Sequence, residues 1–437
     1  MPDPRNISRR SFIRSTAAGT GLALAAPAVG YGRAVGGASP ADTVVVAIVG
    51  TGGRGSSLAR SFAAQTGAEV AYVCDVDARR RSEAGGDVER IQGSGPEAVA
   101  DFRRALDDAD VDGVVVAAPN HWHAPAALLA MDAGKHVYVE KPGSHNAREG
   151  ELIVAAARRH GKIVQMGNQR RSWPRIVEAV ERIHGGVIGP VHYARGWYAN
   201  TRGSIGHGVP GEAPEWLDYE LWQGPAPRRP YRDNMLHYNW HWFWDWGTGE
   251  IGNNGIHSLD LCRWALRVDH PTRVTSSGGR YFHVDDQQTP DTHLVTYTFD
   301  GGKSITWEGL SCNRRGIDGQ TFGASFHGAD GTLVIEGLGY RVFDHDGELV
   351  ETVAGAEGFD IDEDHIANFL EGIRSGAALR APIAEGQKGT LLCHLGNISQ
   401  RVGRGLTCEP GTGRIADDPE AMALWGRSYA EGWELTV

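Results

Sequence analysis

Two hydrophobic patterns divide this chain. Between residues 43 and 166, short unbroken apolar runs alternate with stretches of helical period, and glycines mark the joins. TVVVAIV (43–49), AEVAYVCDVD (68–77), VDGVVVAAPN (111–120), KHVYVEKPG (135–143) and KIVQM (162–166) are predicted strands. Their β-branched residues run without polar alternation, as strands buried on both faces require. SSLARSFAAQ, ADFRRALDD and HAPAALLAMDAG are predicted helices between them. Strand–helix repetition of this kind implies a doubly wound parallel sheet. Further on, HLVTYTFD, KSITWEGL and GTLVIEG read as strands of a second region, with GADG as the turn between the last two. Ile366, Phe369, Leu370 and Ile373 at helical spacing before Gly376 predict a helix, with His365 as a helix-start residue. GQKGTLLCHLGNISQRVGR predicts a second helix, and Trp425, Tyr429 and Trp433 make the tail an ordered strap.

Composition narrows the class. The chain has 41% hydrophobic and 22% charged residues and a net charge of −11, with arginine pairs scattered and no basic tract. A nucleic-acid or anionic-membrane partner would need clustered cations. The five cysteines, widely spaced and without a CxxC, predict buried thiols and neither a disulfide framework nor a metal site. SRRSFIRS followed by TAAGTGLALAAPAVG reads as a twin-arginine export signal over residues 1–40, which predicts a periplasmic or extracytoplasmic protein without a membrane span.

Directly after the first strand, GTGGRG sets Gly50, Gly52 and Gly55 in the G-x-G-x-x-G spacing, with Gly53 and Arg54 inside the loop. Gly50 permits the tight turn, Gly52 the approach of a pyrophosphate, and Gly55 close helix–strand packing. The helix start adds free N–H groups and a positive dipole end. The second strand leads to Asp75, placed to accept ribose hydroxyls, which favours NAD. Arg79, Arg80 and Arg81 leave NADP possible; Asp77 reads as a solvated turn residue. Ligands of such sheets lie beyond the strand carboxyl ends, where Asn120, His121, His123, Glu140 and Lys141 stand.

GTGGRG, AAPNHWH and VEKPG in this order, followed by GTGEIGNNGIHSLD, resemble the Gfo/Idh/MocA family of oxidoreductases. The resemblance implies an N-terminal Rossmann domain (residues 41–165) and a C-terminal α/β domain (166–437) on a large, open, mostly antiparallel sheet, with the active site between them. It implies that Lys141 touches the nicotinamide ribose and the reacting hydroxyl, that Glu140 helps hold the ribose, and that Asn120 and His123 line the nicotinamide end. Gln169 and Arg170, in MGNQRR, are expected to face the cleft. His257 matches the family's catalytic histidine, and Asn253 stands where the family usually carries aspartate, four residues earlier and on the same helical face. Asparagine cannot accept a proton, so proton transfer is expected to rest on His257, with Lys141 polarising the oxygen. Asp260 reads as structural, bonded to backbone near the helix start.

Trp240, Trp242, Trp244 and Trp246 alternate just before this block. They fit either one buried face of a strand or a cleft wall stacking on the C–H faces of a sugar. The expected activity is NAD(P)-dependent oxidoreduction at a secondary hydroxyl of a sugar, glycoside or cyclitol, with the cofactor tightly held. A redox-neutral cleavage or epimerisation through transient oxidation is the alternative, and a non-catalytic sugar-binding protein a second. A homo-oligomer formed through the C-terminal sheet is expected.

Overall fold

The computed structural model describes residues 42–356 and 358–435, so the expected export signal lies outside the described residues. Strand β1 (Val44–Val49) sits inside a sheet with β2 (Ala68–Cys74), β3 (Glu97–Val99), β4 (Gly113–Val116), β5 (His136–Val139) and β6 (Val164–Met166), in the order β3-β2-β1-β4-β5-β6. Every neighbouring pair is parallel. This is the dinucleotide-binding strand order, and it reverses between β1 and β4, which opens a crevice at their carboxyl ends. Helices α1 (Gly53–Ala64), α2 (Ala78–Gln92), α3 (Arg103–Leu106), α4 (Asn120–Asp132) and α5 (Ala147–His160) complete the units. The helix predicted from ADFRRALDD is the single turn α3.

The second sheet joins β7 (Val191–Ala199), β8 (Arg273–Gly279), β9 (Thr292–Phe299), β10 (Lys303–Leu310), β11 (Phe322–Gly328), β12 (Gly331–Glu336), β13 (Gly339–Asp344), β14 (Leu349–Val353) and β15 (Leu406–Thr407). Their order is β14-β13-β12-β11-β7-β10-β9-β8-β15. Only β7 and β10 run parallel; the other neighbours are antiparallel. Strand β11 is absent from the sequence reading, because FGASFHG offers small residues where an apolar run was sought. The GADG turn therefore joins β11 to β12 and does not follow β10.

Helices α6 (Pro174–His184), α7 (Tyr219–Gln223), α8 (Ile256–Leu266), α9 (Glu363–Ser375), α10 (Ile383–Val402) and α11 (Pro419–Met422) follow. α6, α8 and α10 cover one face of the large sheet, and α10 also packs on α5. The predicted helix α9 packs back on the nucleotide-binding sheet, where Phe369 meets Phe62 and Tyr138 edge-on. His365 at its start is buried, its ring nitrogens facing the Ser172 hydroxyl and the Met166 carbonyl. The tail is ordered as expected: Trp433 packs edge-on against Trp122, and Arg427 and Tyr429 bind Glu149. All five cysteines are free, and all but Cys312 are buried.

Asp260 is structural, but through a different partner from the one expected. Its carboxylate takes two bonds from Arg171, at 2.7 and 2.9 Å, with both side chains buried. Removing one member of such a pair strands the other charge, so Asp260→Ala should cost about 3–5 kcal/mol, read as a lowered denaturant midpoint.

Buried histidines set an acid limit. Burial lowers His121 and His394 to about 3 and His293 and His365 to about 4, from an ordinary 6.5. Below 6.5 the unfolded chain binds protons that the native state refuses, so stability should fall as pH drops from there toward 4. Denaturant unfolding at about pH 7 and about pH 5 should give the lower midpoint at the lower pH.

Candidate active site

The glycine loop is shaped by contact. Gly50 has φ +83°, and a Cβ there would lie 2.6 Å from the Ala118 nitrogen. A Cβ on Gly55 would sit 1.7 Å from the Gly50 oxygen, so α1 presses directly on the turn that precedes it. At Gly52 a Cβ would meet only the tip of Arg80, and at Gly53 nothing. The uncapped start of α1 thus faces a cavity of about 370 Å³. The cavity runs from Asp75 and Arg80 past Asn120 and His123 to Lys141 and Asn253.

At the Asp75 end, that carboxylate accepts the Thr51 N–H at 2.6 Å and the Asp77 N–H at 2.8 Å. Asp77 is not a solvated turn residue. It is buried, caps α2 through the Arg79 N–H at 2.9 Å, and faces His237 Nε2 at 3.1 Å. Arg79 is stacked on Trp216 and Arg81 binds the Asp75 carbonyl, which leaves Arg80 as the arginine of the three that lines the cavity.

At the other end Glu140 is buried beneath Lys141. It accepts Arg54 Nε at 2.7 Å, Gln169 Nε2 at 3.0 Å and the Lys141 N–H at 3.1 Å. Burial pushes its carboxyl up, but the Arg54 and Lys141 charges prevail and hold it below the usual carboxylate range. Arg54 also gives two 2.7 Å bonds to Asp362, so its guanidinium is committed to protein carboxylates although its stem lines the cavity. Gln169 lies behind Glu140 and does not line the cavity. His123 is wedged between the Pro142 and Ala118 carbonyls at 2.6 and 2.8 Å, and Asn120 accepts the Thr248 hydroxyl at 2.9 Å.

Lys141 Nζ donates to the Asn253 carbonyl at 2.8 Å and to its side-chain oxygen at 3.4 Å. Burial lowers the ammonium's pKa, against the pull of Glu140 and Glu250. Residues Ile251–Gly255 form a π-turn ahead of α8. The wider turn breaks the simple four-residue register, so Asn253 lines the cavity and His257 does not. His257 Nδ1 is buried without a hydrogen-bond partner among the described residues. Burial first, then the charges of Lys141, Arg170 and Arg54, hold its pKa well below the ordinary histidine value. Arg170 lies between the rings of Trp173 and Phe322, at 4.4 and 3.9 Å, away from the cavity lining, and burial lowers it to about 9.

The tryptophans form no strand. Asn239–Trp242 is a 3₁₀ turn, and only Trp240 of the four lines the cavity, stacked on His241 at 3.6 Å. Trp242 packs under Arg202, Trp244 under Arg401, and Trp246 is buried against Trp222 and Phe243. The sequence reading passed over Glu250, a buried carboxylate gripped by Arg202 and reached by Asn254 and Ser311. The run HYNWHW (237–242), read from the sequence as adding aromatic, His and Asn groups to the cleft wall, does supply His237, Tyr238, Trp240 and His241 to the cavity lining. Trp246→Ala should cost about 3–5 kcal/mol of stability, whereas Trp240→Ala should leave the unfolding midpoint nearly unchanged and weaken ligand binding, both read on the purified protein.

Known proteins share this architecture. Residues 44–168 match the pattern described as the oxidoreductase family, NAD-binding Rossmann fold, and residues 196–435 match the C-terminal alpha/beta domain of the same family. A glycosyl hydrolase family 109 protein of Saccharopolyspora erythraea is 35% identical over 44% of this chain and 45% of its own. An inositol 2-dehydrogenase of Rubrobacter xylanophilus is 34% identical over 40% of this chain and 48% of its own. The chain thus spans about half the length of the curated relatives it matches. Levoglucosan dehydrogenase in complex with NADH and levoglucosan superposes with a TM-score of 0.67 at 19% identity, over 84% of this chain and 100% of that one. The aldose-aldose oxidoreductase of Caulobacter crescentus gives 0.64 at 19% identity, over 84% and 99%. With both of its sheets and its glycine loop accounted for, the chain belongs to the Gfo/Idh/MocA family of oxidoreductases.

Proposed function

We propose that this protein is an NAD-dependent oxidoreductase acting on a secondary hydroxyl of a sugar, glycoside or cyclitol. One observation carries the reading: a single cavity has the bare start of α1 along it and the Lys141 ammonium at its end. The residues fit a dinucleotide. Side chains are missing at Gly52 and Gly53, where a pyrophosphate would press on the backbone, and the N–H groups there have no side-chain cap. Asp75 would take the ribose hydroxyls and oppose a 2′-phosphate, which favours NAD over NADP, with Arg80 on the same cavity lining.

Bound NAD supplies the hydride acceptor. Lys141 would meet the carbinol oxygen and stabilise its developing negative charge, a role its depressed pKa and buried setting sharpen. Asn253 orients the ammonium through two oxygens. His257, with the charges of Lys141, Arg170 and Arg54 in range and no carboxylate partner among the described residues, is held neutral. Trp240 and His241 would wall the substrate end.

The cofactor would be held rather than exchanged. Residues 214–242 close over the Asp75 end: the Ala78 N–H bonds the Trp216 carbonyl at 2.9 Å, the Asp218 N–H bonds the Val76 carbonyl at 3.1 Å, and His237 faces Asp77. We link this strap to the export signal read at residues 1–40, since an exported enzyme has little free NAD to draw on. A retained cofactor also keeps open the redox-neutral alternative, in which the hydride returns after elimination or epimerisation. The face of the large sheet opposite α6, α8 and α10, on which no helix packs among the described residues, is the surface we assign to a second copy.

Denaturing the purified protein should release NAD. A screen of glycosides and cyclitols without added NAD should show reduction of the bound cofactor by absorbance. Lys141→Met should slow that reduction about 100- to 1000-fold while leaving the bound NAD in place. Protein that carries no nucleotide and binds none, or a Lys141→Met variant at wild-type rate, would defeat this reading.

A further inference from the structure

Trp122 stands where three parts of the chain meet. It lines the cavity together with Ala100, Phe102, Leu221 and Trp222. The Asp75 N–H bonds the Val99 carbonyl at 3.1 Å, which sets this aromatic group at the Asp75 end. Trp122 and Trp222 are only 6% and 3% exposed, so residues of both domains roof the cavity there. Trp122 Nε1 donates to the Trp222 carbonyl at 3.0 Å, and Phe102 meets the Trp122 ring edge-on at 5.7 Å. A Cβ on Gly224, whose φ is +46°, would lie 1.9 Å from the Trp122 ring. The backbone of the 214–242 strap therefore rests directly on the indole.

The third part is the carboxyl-terminal tail. Trp433 packs edge-on against Trp122 with ring centroids 5.1 Å apart, and the Ala430 N–H bonds the Pro225 carbonyl at 3.1 Å. The tail is anchored just before these contacts. Arg427 Nε and the Tyr429 hydroxyl donate to Glu149 at 2.7 and 2.9 Å, and Arg427 Nη2 donates to the His121 carbonyl at 2.7 Å. From this geometry we propose that residues 428–435 are a latch. They hold the 214–242 strap down on the adenosine end of the site and so keep a bound dinucleotide from leaving. The proposal rests on the NAD-dependent reading of the site, in which Asp75 takes the adenosine ribose.

Anchor and latch differ in burial. The Glu149 and Arg427 side chains are 0% and 9% exposed, a paired charge that belongs to the packed interior. From Ser428 to Leu435 every residue is half-buried or exposed. This stretch can lift without uncovering the core. A dinucleotide leaves past the Asp75 end only if the Trp222 roof rises, and a rising roof must break what the tail adds: one backbone hydrogen bond and one aromatic pair. Together these are of a size to slow release about 10- to 100-fold. Lys141 and Asn253 stand at the other end of the cavity, so the latch governs retention and leaves hydride transfer alone.

The test loads the full chain with radiolabelled NAD and follows loss of the label in the presence of excess unlabelled NAD. Truncation after Arg427 keeps the buried Glu149–Arg427 pair and should speed release about 10- to 100-fold. Trp433→Ala should speed it about tenfold, and Trp433→Phe, which keeps an aromatic edge, should restore most of the slow release. Both the truncated chain and Trp433→Ala should unfold at nearly the wild-type denaturant midpoint. If the truncated chain does not fold, Trp433→Ala decides alone. Release from Trp433→Ala at the wild-type rate overturns the latch. Release that quickens only as far as the unfolding midpoint falls also overturns it, since a merely structural contact would behave that way. Wild-type protein that binds NAD but exchanges it as fast as the variants overturns the latch and leaves the functional reading standing. Wild-type protein that neither carries nor binds NAD defeats that reading, and the latch with it.

Discussion

The site depends on a carboxylate that is kept charged inside the protein. Glu140 is buried, and an isolated carboxylate there would take up a proton. Arg54 prevents this, and in doing so ties together parts of the chain that are far apart. It comes from the first turn of α1, meets Glu140 at the end of β5, and reaches Asp362 ahead of α9. The cradle, the strand end that carries Lys141 and a helix from the carboxyl-terminal third are thereby registered to one guanidinium. The strict geometry of a forked donor between two carboxylates suits arginine and would not suit lysine.

From that anchor the charge pattern alternates outward. Arg54 is followed by Glu140, then Lys141, then the Asn253 amide, then Glu250 and Arg202. A carboxylate stands at Glu250, three positions before Asn253, where Arg202 neutralises it. The ammonium keeps a negative charge in range without a carboxylate in contact. The π-turn at Ile251–Gly255 carries Asn253 to the cavity lining. Such turns are frequent at functional sites, since the inserted residue redirects side chains without ending the helix.

Much of this was legible in the residues. The unbroken β-branched runs and the glycine spacing lead to the parallel sheet and its loop, because burial on both faces and a left-handed turn at Gly50 leave few residue choices. The EKP tripeptide and the NNGIHSLD block place Lys141 and Asn253 by motif. Other features were not legible. Strand β11 lacks the apolar run that marks its neighbours. Asp77 looks like a turn residue until His237 arrives from the second half of the chain. Alternating tryptophans imitate a strand face, yet a 3₁₀ turn sends only Trp240 to the cavity.

Sequence by itself determined the local frame: which segments are strands, where the glycine turn lies, and that one amine and one amide stand at the same cavity. These follow from constraints between near neighbours, where pattern and steric limits act directly. Only the tertiary structure decided which charges meet. Arg54 and Asp362 lie 308 residues apart, and Lys141 and Asn253 lie 112 apart. Long-range electrostatics and the exclusion of water depend on the packed whole, so no spacing along the chain announces them.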